Sequence, residues 1–308
     1  MKISNWIFWL WLIVIVSIPL NLLGSEKMFP KPPKLTQIAG GLQFPEGPAW
    51  DGKKTLYVSN CRGNWITRIS PAGVDTFLTA TTEPFNFEKT NGMTVFKDGS
   101  LFACEFGRGA ILRISPAGTS EIYVDSSAGQ KLNRPNDLAF DAAGNLYFTD
   151  PNQYRRENPD GVVYRVAAGS REVTPVASNL AFPNGLAFSA DGKFLFICES
   201  AFERVLRFKV RPDGTLAEKE IFVELPGGDP DGINFDTEGN LYVAHFGGGA
   251  VCIVAPDGQL RDKIELPGKK PTNVEFGGPD LRTLFITEVE TSAVYQLEVP
   301  VSGLRLMY

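Results

Sequence analysis

The chain has one histidine, His245, among 308 residues. That excludes sites built on paired histidines, the H-E-x-x-H zinc helix first among them. No G-x-S-x-G elbow, phosphate-binding loop or dinucleotide fingerprint occurs, so the common nucleophilic and nucleotide-dependent chemistries lack their sequence basis. Cysteine is scarce as well. Cys61, Cys104, Cys198 and Cys252 stand far apart and form no C-x-x-C pair, which excludes a zinc ribbon on spacing. Buried free thiols in strands are the plainer reading, although an exported chain permits disulfides. Positive charge is in deficit, with 30 Lys and Arg against 35 Asp and Glu and a net charge of −5. No basic patch stands out, so the sequence points away from nucleic acid and from an anionic membrane surface. No D-x-D-x-D-G calcium loop is present either.

Long apolar runs are missing except at the N-terminus. Lys2 precedes an unbroken apolar stretch from Ile7 to Val16, followed by Ser17, Pro19 and Leu22-Leu23-Gly24-Ser25. The stretch is short for a spanning helix, which needs about 20 residues. Residues 1–24 therefore read as a secretory signal, with an uncleaved membrane anchor or a buried helix as the alternatives. Export to a periplasm or the medium is expected. Residues 25–34, with Pro30, Pro32 and Pro33, read as a linker, and residues 35–308 as one domain.

Within that domain one pattern occurs six times. It begins at Glu46-Gly-Pro-Ala-Trp50, Asn91-Gly-Met-Thr-Val95, Asn136-Asp-Leu-Ala-Phe140, Asn184-Gly-Leu-Ala-Phe188, Asp231-Gly-Ile-Asn-Phe235 and Thr272-Asn-Val-Glu-Phe276, at intervals of 41 to 48 residues. Each copy continues through a Gly-containing turn into a second apolar strand, such as Leu101-Phe102-Ala103 or Leu241-Tyr242-Val243. Third and fourth strands follow in the first five copies. This is the length and content of a propeller blade, and the sequence predicts an all-β, six-bladed β-propeller. The sixth copy runs out of chain before a fourth strand. The segment Lys34 to Ile38, which has no blade of its own, is expected to supply it and close the ring, removing exposed strand edges.

In a propeller the first strand of each blade lines the channel, and the second runs back beside it. Two polar columns therefore meet at one mouth. The inner column is Glu46, Asn91, Asn136, Asn184, Asp231 and Thr272. Two carboxylates crowded on an axis repel one another, and a divalent cation relieves both repulsion and burial. All-oxygen donors favour Ca²⁺, with Mg²⁺, Mn²⁺ or Zn²⁺ as alternatives. The competing reading is that Asn-Gly and Asp-Gly are only turn dipeptides. The outer column is Asn60, Glu105, Asp150, Glu199, His245 and Glu288. These either bond loop backbones and orient the inner ring or, for His245, shuttle a proton.

The motifs Phe44-Pro-Glu-Gly-Pro-Ala-Trp50, Asn91-Gly-Met, Ala103-Cys-Glu-Phe-Gly107, Asn133-Arg-Pro-Asn-Asp137, Tyr147-Phe-Thr-Asp-Pro151, Pro183-Asn-Gly185 and Pro230-Asp-Gly232, in this order, resemble those of the gluconolactonase and regucalcin-like lactonases. The resemblance covers about residues 36–300. It implies a divalent cation held by Glu46, Asn136, Asn184 and Asp231. It further implies substrate contacts from Arg134 and Asn91, to which Asn136 and His245 are added from their place at the mouth. Family gluconolactonases often read Cys-Glu-His where this chain has Cys104-Glu105-Phe106, so the exact sugar preference does not carry over.

The expected activity is hydrolysis of a sugar lactone such as gluconolactone, or of a related cyclic ester. The cation would act as a Lewis acid, Asp231 as general base, and Glu46 as the second candidate for that role. The partner is a small molecule and the protein a monomer. Two other readings stand beside this one: a non-enzymatic propeller that binds a protein or glycan, and a metal-dependent esterase or phosphotriesterase.

Overall fold

The structure is a computed structural model and describes residues 27–81 and 87–305. Its strands form six four-stranded antiparallel sheets around a central axis, a six-bladed β-propeller with no α-helix among the described residues. Blade 1 is Pro45–Trp50, Leu56–Asn60, Trp65–Ser70 and Gly73–Thr79. Blade 2 is Thr90–Val95, Leu101–Glu105, Ala110–Ile114 and Ser120–Val124, and blade 3 is Leu138–Phe140, Leu146–Asp150, Gly161–Val166 and Val173–Leu180. Blade 4 is Pro183–Phe188, Phe194–Glu199, Arg204–Val210 and Leu216–Glu224, and blade 5 is Asp229–Phe235, Leu241–Phe246, Ala250–Val254 and Leu260–Glu265. Blade 6 takes three strands from the C-terminal end of the chain, Pro271–Gly277, Thr283–Glu288 and Ala293–Glu298. Its fourth strand is the N-terminal Thr36–Gly40, paired antiparallel with Ala293–Glu298. The ring closes as the sequence predicted, two residues further along than Lys34 to Ile38.

The blades form because period-two strands bury both faces between neighbours. The cores are accordingly inter-blade. Tyr242, Val251 and Ile264 of blade 5 pack on Val274, Leu284 and Ile286 of blade 6, for example. Aromatic pairs such as Phe196 with Phe235, 4.9 Å between centroids, join blades 4 and 5. One feature was not legible: a two-residue hairpin, Ser126–Ser127 with Gln130–Lys131, after blade 2.

The signal segment 1–24 lies outside the described residues. Residues 27–34, expected to be a linker, form no strand but are not free. Met28 is buried against the blade 5–6 core, the Tyr242 hydroxyl donates to its sulfur at 2.9 Å, and Phe29 N–H donates to Asp262 at 2.8 Å. All four cysteines are buried and unpaired, three in strands and Cys61 just beyond one.

Candidate active site at the channel mouth

The first strands approach one another so closely at the axis that no side chain fits at the glycines after Glu46, Asn91, Asn184 and Asp231, while Asp137 and Asn273 fill that position in blades 3 and 6. A Cβ on Gly47 would lie 2.3 Å from Asn91 O, one on Gly185 2.3 Å from Asp231 O, and one on Gly232 2.0 Å from Cγ of Asn273. The glycines of the repeat thus serve blade-to-blade approach, with a register shift in the first strand at each. Hydrogen bonds run around the axis at the same level. Ser59 Oγ donates to Asn91 O (2.6 Å), Gly92 N to Asn136 O (2.8 Å), Thr149 Oγ1 to Asn184 O (2.9 Å), Ser200 Oγ to Pro230 O (2.7 Å) and Thr272 Oγ1 to Pro45 O (2.7 Å). Buried backbone carbonyls are thereby satisfied, and the inner column is fixed blade to blade.

Five of the six inner-column residues line one cavity of about 260 Å³: Glu46, Asn91, Asn136, Asn184 and Asp231, joined by Arg134. Thr272 is fully buried and spends its hydroxyl on Pro45 and Thr287 instead. His245 does not line the cavity. It is buried, and its Nε2–H donates to Leu225 O at 2.9 Å and Gly228 O at 3.0 Å.

The other outer-column residues behave in the same way. Each ties down the loop that leads into its own blade's first strand. Asn60 Oδ1 accepts from Gln43 N; Glu105 from Glu88 N and Lys89 N; Asp150 from Asn133 N and Arg134 N; Glu199 from Ala181 N; and Glu288 from Lys270 N. Backbone amides compensate these buried carboxylates, as buried charge requires. The outer column therefore sets the position of the inner one.

Glu46 and Asp231 are differently placed. Burial raises the pKa of both carboxyls; Asp137 raises Glu46 further, and Glu46 and Asp137 raise Asp231 further. Asn184 donates a hydrogen bond to Asp231 and opposes its shift. The Asn91 Oδ1 atom is buried without a partner. Two mutually repelling acids, nearby carboxamides and an orphaned oxygen make a donor set that fits one hard divalent cation. Among the described residues no group of three or more His, Cys, Asp or Glu side chains gathers, so any such site here mixes acids with amides.

Beneath this floor the channel stays polar. The Asn273 carboxamide hydrogen-bonds both Glu46 and Asp137. Burial pushes Asp137 up to about 7 and Glu275 up to about 8, and Asn234 Nδ2 donates to Glu275 at 3.3 Å. Sequence reading passed over these channel residues because they fall one to three positions after the column and break its pattern.

The walls were passed over too. Phe44, Phe106, Tyr154, Phe182 and Phe246 ring the cavity, with Pro151 and Asp229. A signal was present: Phe44 and Phe182 each stand two residues before a column member, and Phe106 and Phe246 directly follow outer-column residues. Phe44 and Phe182 both have φ of 59° and both precede proline. Left-handed backbone at a bulky residue costs on the order of 1–3 kcal/mol, and a following proline favours extended geometry instead. The surrounding fold imposes this strain at two matching points of the rim.

The chain has relatives among known proteins. The family described as SMP-30/gluconolactonase/LRE-like region matches residues 44–290. A gluconolactonase of Zymomonas mobilis is 33% identical over 281 residues, spanning 81% of this chain and 77% of that protein. A 6-deoxy-6-sulfogluconolactonase of Pseudomonas putida is 35% identical over 264 residues, 84% of this chain and 88% of that protein. A solved gluconolactonase structure from Xanthomonas campestris superposes with a TM-score of 0.77 at 30% identity, covering 90% of this chain and 97% of that one. With more than half of its length matched, the chain belongs to the SMP-30/gluconolactonase/LRE-like family.

Proposed function

We propose that this protein hydrolyses a lactone at the channel mouth, with one divalent cation, Ca²⁺ first, held by Glu46, Asn136, Asn184 and Asp231. The observation that carries the reading is the floor of the cavity, where Glu46 and Asp231 are buried acids with raised pKa, Asp231 partly through the charge of Glu46, beside carboxamides and an unpaired Asn91 oxygen. The gluconolactonase relatives supply the reaction class. Bound there, the cation supplies Lewis acidity toward a ring carbonyl.

The chain's own residues do the rest. Asp231 accepts the proton of an attacking water, a role open to a carboxylate at the floor of the site, and Glu46 is the second candidate. Arg134, exposed on the wall and held at its backbone by Asp150, binds the negative charge that grows on the opened ester. Asn91 Oδ1 accepts a hydrogen bond from the substrate. The N-terminal apolar segment supports export, and the substrate is a small molecule met by a monomer.

The test is a panel of lactones, aryl esters and phosphotriesters assayed with Ca²⁺ and with chelator, alongside calorimetric Ca²⁺ binding. Lactone turnover that vanishes with chelator and returns with Ca²⁺ is expected. Calcium binding without turnover of any lactone would leave a non-enzymatic propeller, and preferential turnover of phosphotriesters would move the chain to another reaction class.

A further inference from the structure

We infer that the lactone taken by this site carries an apolar alkyl substituent and is not a polyhydroxylated sugar lactone; this rests on the function proposed above. Five aromatic side chains surround the entrance, drawn from five segments: Phe44 before blade 1, Phe106 after the second strand of blade 2, Tyr154 in the corresponding loop of blade 3, Phe182 before blade 4 and Phe246 at the end of the second strand of blade 5. Each ring packs against another side chain. Arg62 lies over Phe44 at 4.6 Å, Lys89 over Phe106 at 5.9 Å and Lys270 over Phe246 at 5.8 Å, while Tyr154 packs on Phe182 at 5.4 Å. A wall of fixed rings gains from burying hydrocarbon and gives nothing to a hydroxyl.

The polar groups of the cavity are mostly committed. Glu46, Asn136, Asn184 and Asp231 form the floor. Ser200 Oγ donates to Pro230 O, and Asp229 accepts from the Tyr154 hydroxyl at 2.7 Å. Asn91 and Arg134 are the wall side chains left to meet a substrate. A gluconolactone brings four hydroxyls, and each one buried without a partner costs about an order of magnitude in binding. An alkyl chain gains about four-fold per methylene buried.

The backbone provides a second, independent observation. Phe44 and Phe182, from blades 1 and 4 on opposite sides of the six-fold ring, share the same left-handed φ of 59° before a proline. Strain of this kind persists where a structure holds a side chain to a task. Here it sets two phenyl rings against one cavity from opposed sides.

The experiment compares kcat/KM of the Ca²⁺-loaded, full-length protein for 5-pentyl-δ-valerolactone, δ-valerolactone and glucono-δ-lactone. The alkyl lactone is expected to exceed glucono-δ-lactone by at least 100-fold. In Phe182→Gly, which suits the left-handed backbone, and in Phe106→Ser, the preference for the alkyl lactone over δ-valerolactone should fall at least ten-fold, mainly through KM. Glucono-δ-lactone turned over as well as the alkyl lactone, or better, overturns this inference and leaves lactone hydrolysis standing. Turnover of none of the three removes the proposed function and this inference with it.

Discussion

Gly232 and Asn273 share a space that admits only one side chain: a Cβ at position 232 would lie 2.0 Å from Cγ of Asn273 and 2.1 Å from its Oδ1. The glycine of blade 5 thereby seats the amide of blade 6, which in turn hydrogen-bonds Glu46 of blade 1 and Asp137. One carboxamide joins blades 1, 3 and 6 by hydrogen bonds at the axis, seated by the glycine of blade 5. Gly232→Ala should push Asn273 off Glu46 and weaken Ca²⁺ binding about 10- to 100-fold, the range expected for a disturbed supporting contact. Titration calorimetry measures it; wild-type affinity in a folded Gly232→Ala protein would count against this linkage.

Asp231 carries the proposed proton transfer and part of the cation site. Asp231→Ala should lower kcat/KM on any lactone substrate by at least about 1,000-fold, with near-wild-type circular dichroism. Glu46→Gln should lose cation affinity in parallel. Turnover within ten-fold of wild type in the Asp231 variant would remove that residue from the mechanism.

The channel acids predict how stability varies with pH. Glu275 has a folded pKa near 8 and Asp137 near 7, against ordinary values of 4.5 and 3.8, mainly through burial. Between about pH 4 and pH 8 the folded state retains protons that the unfolded chain has released. Unfolding free energy therefore falls as pH rises through this window. Glu275→Gln removes one such group and should flatten the curve, so that its denaturation midpoint relative to wild type is higher at pH 9 than at pH 5. Urea melts at the two pH values decide this.

Asp150 holds the backbone N–H groups of Asn133 and Arg134, at 2.9 and 2.6 Å. Asp150→Ala frees that loop together with the inner-column Asn136 that follows it. At saturating Ca²⁺, kcat should fall about ten-fold, with a smaller rise in KM, because the guanidinium no longer meets the charge that grows on the ester. A rise in KM with kcat unchanged would instead assign Arg134 to ground-state binding alone.

The four thiols should be silent in the native protein. All are buried, and burial raises the pKa of each, to about 11 for Cys252. A thiol reagent should label none of them before unfolding and all four after it, and reductant should leave the melting temperature unchanged. Rapid labelling of Cys61, nearest the mouth, would show that the loop after its strand opens.

Six repeats, the strand order within each and the closing N-terminal strand were all legible in the chain. They follow from local rules: period-two hydrophobicity, Gly-containing turns and a repeat that ends one strand short. The inner column was legible for the same reason, since a fixed position in a repeat becomes a fixed position on the ring. Which members do more than hold structure was not. Thr272 shares the column but bonds Pro45, and His245 sits in the outer column yet faces two carbonyls. The direction of a side chain depends on loops from other blades, and no local pattern records it. The aromatic rim, the strained Phe44 and Phe182 and the Asn273 contact arise only when the ring closes and brings residues from distant blades within a few ångströms. The sequence alone determined the propeller and the ring of oxygen donors; the tertiary structure decided which of those donors face the cavity and what surrounds it, because packing about the axis is a property of all six blades at once.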